Sequence, residues 1–155
     1  MLKNFNPFNK KNHNNTIYPK ELKELNLSGY VYSSNDAIEE LGLDKELIEQ
    51  LVEDYVIQII KSLSQFDEYL YQLEKDNAAR RPLEYTPFRD LVHKNLGVAR
   101  NLRIEDGEKI LNDLMKKDDL EYLRICLEGL RLSAIALSPK CANDTLTLLH
   151  VKSNF

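Results

Sequence analysis

The pattern of apolar and polar positions predicts helices over most of the chain after residue 34. The longest pattern follows Asp44, where apolar residues recur every three or four positions for about eight turns. A second run, from Leu120 to Leu137, has the alternating spacing of three and four that suits packing in a bundle. A shorter amphipathic stretch spans residues 105–116. Together these runs favour an all-helical fold.

Capping and helix-breaking residues divide this pattern into separate helices. Side chains that accept a hydrogen bond from a free N–H mark helix starts, and glycine or proline marks helix ends. The predicted signals are Ser34 or Asn35 and Gly42 for a short helix, Asp44 for the long helix, Thr86-Pro87 for a helix to about Leu102, Asp118 or Asp119 for the last long helix, and Ser138-Pro139 for its end.

Four substantial helices with short connections predict an all-α fold, an antiparallel up-down four-helix bundle with a short extra N-terminal helix. We assign the bundle to residues 34–139. Residues 1–33 are predicted to be a tail, loose and rich in asparagine at first, with a short helical turn near its end. Residues 140–155 are predicted to be a C-terminal tail, and the weak alternation within it is compatible with an extended segment lying against the bundle.

Charge and ligand composition exclude several classes of function. Lys plus Arg total 21 and Asp plus Glu total 25, so the net charge is −4 and the chain is a poor general binder of nucleic acid. Two cysteines and three histidines are too few for a zinc framework, so neither a metal nor a cofactor is predicted. The five glycines do not cluster, which argues against a phosphate-binding loop and an ATP-dependent kinase.

The apolar runs are also too short for a membrane protein. No stretch approaches the 18 or so apolar residues of a transmembrane helix, and the first residues lack a signal-peptide pattern. We therefore expect a cytoplasmic protein with no membrane partner. The long helix has more apolar positions than one neighbour needs, so either a monomer or a weak homodimer is compatible with the sequence.

One histidine lies within a predicted helix, and its neighbours suit phosphoryl chemistry. His93 follows an apolar position by one residue, about 100° round the helix, which turns the imidazole toward water. Glycine inside a helix costs about 1 kcal/mol relative to alanine, so Gly97 suggests a place where a side chain would obstruct something. A neutral imidazole is a good nucleophile at physiological pH. Nearby Arg89, Lys94 and Arg100 would accommodate a phosphoryl group on it.

The segment from His93 to Leu102, HKNLGVARNL, resembles the motif of histidine-containing phosphotransfer (HPt) domains. That motif reads roughly His-x-Leu-Lys-Gly-[Ser/Ala]-[Ala/Ser]-x-x-Leu, and His93, Gly97, Ala99 and Leu102 occupy matching places. The predicted order of helices over about residues 34–138 also resembles that of the family.

The resemblance implies a phosphorelay intermediate. His93 would accept a phosphoryl group from the aspartate of a response-regulator receiver domain, or donate one to it. The partners implied are a receiver domain, a hybrid histidine kinase or both. The receiver would supply the acidic pocket and the divalent metal, so this chain would be a phosphocarrier without a metal of its own, rather than a self-sufficient enzyme. The predicted phosphate and partner surface consists of Arg89, Lys94, Leu96, Gly97 and Arg100.

The chain departs from the family motif next to the histidine. Asn95 and Leu96 stand where the family has leucine and lysine. We expect Asn95 near the buried stripe and Leu96 on the exposed side, either as an isolated surface leucine or as part of an apolar docking patch for a receiver. The missing lysine supports an alternative, a helical-bundle adaptor that binds a receiver or a histidine kinase without carrying phosphate. A third interpretation, a helical metal or cofactor bundle, has almost no ligands.

Overall fold

A computed structural model describes residues 16–153, and all regular secondary structure in that range is helical. The predicted all-α class is therefore confirmed, whereas the asparagine-rich leader lies outside the described residues. The helices are a 3-10 helix at Lys20–Leu25, α1 at Asn35–Leu41, α2 at Lys45–Ala78, α3 at Thr86–Asn101, α4 at Glu105–Lys116, α5 at Leu120–Leu137 and α6 at Pro139–Ser153.

The helix boundaries follow local chemistry that the sequence already displays. The Asp44 side chain accepts a 2.8 Å hydrogen bond from the N–H of Leu47 at the start of α2. Asp119 does the same for Tyr122 at the start of α5. Gly42 ends α1 in the left-handed conformation, with a φ of 66°, which glycine adopts without steric cost. These predicted starts and stops are confirmed.

The helices pack into a bundle around α2, which contacts α3, α5 and α6. The fourth helix, α4, completes the contacts by packing against α3 and α5. Two aromatic rings mark the α2–α3 interface, where Phe66 and Phe88 meet edge to face with centroids 5.6 Å apart. The largest fully buried apolar and aromatic side chains are Tyr55, Phe66, Phe88, Leu22, Ile48, Ile59, Ile60, Leu70, Ile104, Ile110, Leu111 and Leu114.

The segment before α1, residues 16–34 and here called the lead-in, packs against this core. Leu22 and Leu27 are buried, and Leu22 lies against Gly129 of α5. Two tyrosines of the same segment reach the turn between α3 and α4. The Tyr32 hydroxyl donates a 2.8 Å hydrogen bond to the carbonyl of Leu102, and the Tyr30 hydroxyl accepts one from the N–H of Glu105. The lead-in therefore helps to fix the end of the helix that carries His93.

The C-terminal segment is helical, although its weak alternation is also compatible with an extended segment. Proline ends α5 and then occupies the first position of α6, where its missing N–H is not needed. Ala142 and Thr145 are buried and Leu149 is partly buried, a spacing of three and four that belongs to a helix packed on one side. The Thr145 hydroxyl bonds to the carbonyl of Cys141 four residues back, which lets a β-branched polar residue lie within the helix.

Both cysteines carry free thiols. Cys126 is fully buried in α5, and burial raises the pKa of its thiol to about 12. Cys141 is partly buried in α6, where its sulfur lies 3.6 Å from the carbonyl oxygen of Glu53 on α2. Burial also raises the pKa of the Cys141 thiol. Both side chains act as small packing groups rather than as reactive thiolates.

Candidate functional site

The α3 helix presents His93 to solvent. Phe88, Val92 and Ala99 on the opposite side of α3 are each buried to 1% exposure or less, and this apolar stripe fixes the rotation of the helix about its axis. His93 lies about 100° from Val92 around that axis, and its side chain is exposed as predicted. The helix thus holds an imidazole at the surface on a rigid element.

Gly97 leaves the surface beside His93 open. It lies one turn after His93 and about 40° round the helix. A Cβ atom at Gly97 would have no neighbour within 4 Å in the described structure, whereas one at Gly107 or Gly129 would press on the side chain of Tyr55 or Leu22. Those two glycines are explained by internal packing. Gly97 has no such internal reason, although it lies in the middle of a helix.

Leu96 is buried, with only 3% of its surface exposed, so the expectation that it lies on the exposed side is wrong. It comes four residues after Val92 and three before Ala99, and this spacing places it on the packed stripe of α3. A leucine at that position contributes to the core. It does not form an apolar docking patch, nor does it reach the surface where the family's lysine would act.

Asn95 is buried as expected and incompletely paired. Its side-chain amide donates to the carbonyl of Leu91 at 2.9 Å and lies 3.5 Å from the hydroxyl of Ser62 on α2. Its side-chain oxygen has no hydrogen-bond partner among the described residues. The motif position that carries leucine in the family is therefore occupied by a polar link between α2 and α3.

Arg89 contacts Tyr85 and the connection between α4 and α5. Its guanidinium stacks 4.3 Å from the ring centre of Tyr85 and donates a 3.2 Å hydrogen bond to the carbonyl of Lys117, in the connection between α4 and α5. Its Nε atom is buried and has no hydrogen-bond partner in the part of the chain that the structure describes. Arg89 therefore ties the start of α3 to that connection.

Two other basic groups on this helix and its end are paired with carboxylates. Arg100 donates to Glu108 at 3.3 Å and to the side-chain oxygen of Asn112 at 3.1 Å. Arg103, just beyond the helix, forms an ion pair with Glu40 of α1. Lys94 is exposed, and within residues 16–151 no acidic group lies at ion-pair distance from it. Two of the four cationic groups on this helix and its end, Arg100 and Arg103, are thus neutralised by carboxylates in the folded protein.

Three polar residues of this surface are absent from the sequence-based site. Asp90 is exposed one turn before His93, and a period of three to four residues was enough to find it. Glu108 and Asn112 come from α4, and only the packing of α3 on α4 brings them to Arg100. Asp90 and Lys94 also border an open groove of about 730 Å³, lined further by Gln65, Tyr69, Glu84, Thr86, Pro87 and Leu91.

A second polar cluster surrounds Asp106 at the other end of α3. Its carboxylate accepts hydrogen bonds from the hydroxyls of Tyr18 and Ser133 and from the N–H of Gly107, at 2.8 to 3.0 Å. Burial raises the pKa of this carboxyl group, and the three donors act in the opposite direction. Because Tyr18 belongs to the lead-in and Ser133 to α5, the cluster joins three parts of the chain.

Residues 16–151 contain no group of three or more histidine, cysteine or acidic side chains arranged to hold a metal ion. No helix among them is long and apolar enough to cross a membrane.

Comparisons with known proteins found no counterpart. No model of a protein family matches the chain, and no significant match was found among curated proteins or among solved structures. Functional inference therefore rests on the residues themselves and on the motif around His93.

Proposed function

We propose that the chain is a phosphorelay protein in which His93 accepts a phosphoryl group from, and donates it to, the aspartate of a receiver domain. The observation that carries this proposal is the exposed imidazole on α3 beside Gly97, a helical glycine with open space around it. A docking partner needs that kind of clearance to bring a phosphorus atom in line with a ring nitrogen. Internal packing gives no other reason for this glycine.

The transfer step is a displacement at phosphorus. The lone pair of the unprotonated ring nitrogen of His93 forms the new N–P bond while the P–O bond of the aspartyl phosphate breaks. The leaving electron pair stays on the aspartate, which becomes a carboxylate. The imidazole that was neutral becomes a positively charged N-phosphorylated ring, so the total charge of −2 is unchanged. Reversal of the same step returns the group to a receiver.

An antiparallel four-helix arrangement of α2, α3, α4 and α5 forms part of the proposal. Its support is the order of the contacts. Phe88 meets Phe66 and Asn95 lies near Ser62, so the α3 residue number rises as that of α2 falls. The α3–α4 contacts show the same reversal, since Arg89 bonds to residue 117 and Arg100 to residues 108 and 112.

The proposed partners are a receiver domain, a hybrid histidine kinase or both, and the proposed compartment is the cytoplasm. The resemblance to HPt domains implies that the receiver contributes the acidic pocket and the metal ion. The share of this chain would be to present the nucleophile, to leave room for the receiver and to supply cationic donors. Its described residues provide these features with His93, Gly97, Lys94 and Arg100.

Labelling with a phosphorylated receiver tests the proposal. Receiver domains charged with radiolabelled acetyl phosphate are mixed with the chain, and acid-labile, alkali-stable label on the chain is measured. We expect label on the wild type and on His150→Gln, and loss of label to background in His93→Gln. Receiver binding without label on the wild type, across a panel of receivers, would contradict phosphotransfer.

That contrary outcome would support the second candidate function, a helical-bundle adaptor that binds a receiver or a kinase without carrying phosphate. The observation favouring it is the state of the cationic groups. Leu96 is buried where the family has lysine, and Arg89 and Arg103 are directed to partners within the chain. An adaptor would form a stable complex whose affinity is the same for the wild type and for His93→Gln.

A further inference from the structure

We propose that Arg100 is an exchangeable phosphate ligand for His93, which Asn112 positions and which Glu108 occupies until the phosphoryl group arrives. This inference rests on the proposed function and deepens it. It assigns roles to two α4 residues, Glu108 and Asn112, and identifies the cation that acts in place of the missing lysine.

Arg100 lies on the same face of α3 as His93. Seven residues separate it from His93, and seven helical steps return to within about 20° of the same direction, roughly 10 Å further along the axis. Side chains on a helix lean toward its N-terminus and cover the turn before their own Cα. The Arg100 side chain therefore leans from the C-terminal side toward the turn that contains Gly97.

The surface between the two side chains is open. Gly97 lies between them, four residues after His93 and three before Arg100, and a Cβ atom there would meet no side chain or neighbouring helix within 4 Å among the described residues. No other side chain on this line of the helix separates the imidazole from the guanidinium. A phosphoryl group on His93 would extend into this gap.

The Arg100 guanidinium is only partly occupied by its partners on α4. Nε lies 3.3 Å from Glu108, a long distance for a charge-assisted hydrogen bond, and Nη2 lies 3.1 Å from the neutral oxygen of Asn112. About half of the Arg100 side chain is exposed, and the remaining three of its five N–H groups have no partner in the described residues. Arg89, by contrast, is held by an aromatic ring and a carbonyl.

Exchange follows from the relative strength of the two anions. An exposed ion pair of this kind contributes little to stability, so losing it costs little. A phosphoryl group has a charge between about −1.5 and −2 and offers three acceptor oxygens, against the single charge of Glu108. Asn112 is neutral and does not compete with the phosphoryl group for the guanidinium. Its hydrogen bond to Nη2 holds the guanidinium in position. Arg100 thus changes anion while its side chain stays in place.

The test uses phosphohistidine made without any partner. Phosphoramidate transfers its phosphoryl group to imidazole with release of ammonia, so His93 is labelled directly, and ³¹P NMR then follows the resonance and its decay. We expect Arg100→Gln to lower the equilibrium labelling about tenfold, the effect of losing hydrogen bonds to a charged group. Arg100→Lys should restore part of the labelling, because lysine keeps the positive charge but lacks the planar guanidinium group and its paired donors.

The two α4 variants should act in opposite directions. Glu108→Gln removes the competing charge and should raise the labelling roughly twofold to fivefold. Asn112→Asp still holds the guanidinium but opposes the phosphoryl group, so labelling should fall although thermal stability does not. Arg131→Gln, which removes an arginine paired with Glu128 on α5, is the matched control and should change nothing.

The outcomes separate this inference from the proposed function. The role of Arg100 would be overturned if Arg100→Gln is labelled and decays like the wild type, or if the two α4 variants have equal effects. His93 would still be a phosphoryl acceptor in either case. If phosphoramidate labelling depends on Arg100 but no receiver exchanges a phosphoryl group with the chain, the proposed partner is overturned. The role of Arg100 as a phosphate ligand would then stand. If phosphoramidate does not label His93 in the wild type, the inference is overturned.

Discussion

Asp106 is a buried carboxyl group surrounded by donors that belong to different parts of the chain. Tyr18, Ser133 and the Gly107 N–H all point at it, and 7% of its surface is exposed. The hydrogen bonds favour its charged form, but burial outweighs them, so the pKa of Asp106 is raised in the folded state. At the scale of single residues, this group links stability to pH.

The expected pH dependence follows from the sign of that shift. A raised pKa means that the folded state holds the proton more tightly than the unfolded state. The contribution of Asp106 to stability is therefore fully present below the unfolded pKa of about 3.9 and is lost as the pH rises through the folded pKa. We predict that Asp106→Asn, which cannot ionise, becomes progressively more stable relative to the wild type as the pH rises above about 4 toward the folded pKa. Urea denaturation at several pH values measures this difference.

The neighbouring Glu105 supplies the control for this experiment, because it is exposed at the start of the same helix. The stability difference between Glu105→Gln and the wild type should lack that upward trend with pH. A difference for Asp106→Asn that stays flat or falls over the range would show that the three donors outweigh burial.

The α3 helix combines a packed stripe with an exposed glycine. Its interior turns are otherwise continuous, and glycine there lowers helix stability by about 1 kcal/mol relative to alanine. Since a Cβ at Gly97 would have no side chain or neighbouring helix of the described residues within 4 Å, the packing of the bundle does not oppose alanine there. At the scale of the element, α3 is therefore less stable than it would be with alanine at position 97, which the packing would accommodate.

We therefore predict that Gly97→Ala raises the free energy of unfolding by about 1 kcal/mol. The same change should slow transfer from a receiver by roughly tenfold or more, because a small displacement of the reacting groups is costly in group transfer. Denaturant unfolding and receiver labelling measure the two effects. Gly107→Ala is the contrast, since its Cβ would press on Tyr55 and should lower stability. A variant at Gly97 that gains stability and transfers normally would contradict a role in docking.

Local chemistry made most elements predictable. Asp44, Asp119 and Gly42 marked helix boundaries that the structure confirms, because a cap depends on residues three or four positions away. The C-terminal helix α6 was missed since its buried residues are few and its alternating threonines and leucines imitate a strand. The sequence does not show that Leu96 is buried, because Leu96 lies at the edge of the apolar stripe of α3. It is about equally far round the helix from buried and exposed neighbours.

At the scale of the whole molecule, the lead-in segment and the bundle share one core. Leu22 lies against Gly129, and Tyr32 bonds to the carbonyl of Leu102, 70 residues away. The periodicity of apolar residues cannot predict such a contact, because the contact joins segments that are far apart in the sequence. The pairing of Arg100 with Glu108 and Asn112 was beyond the sequence for the same reason.

Leu22→Ala tests whether the lead-in stabilises the bundle. Leu22 has 1% of its surface exposed, and removing a buried leucine side chain costs about 2 to 5 kcal/mol. We expect a loss in this range in denaturant unfolding, with a single transition. Leu41→Ala, at a position that is 40% exposed, should stay within about 0.5 kcal/mol of the wild type. A loss that small for Leu22→Ala would mean that the lead-in folds independently of the bundle.

The two cysteines have a consequence for experiments on this protein in solution. Thiol-directed dyes react with thiolates, and burial raises the pKa of both Cys126 and Cys141. The native chain therefore offers such dyes a low background at neutral pH. A cysteine introduced at exposed Asn101, two turns beyond His93, would take up a fluorophore selectively, and the wild-type thiols could stay in place. The approach of a partner to α3 can then be followed by fluorescence in an otherwise unaltered molecule.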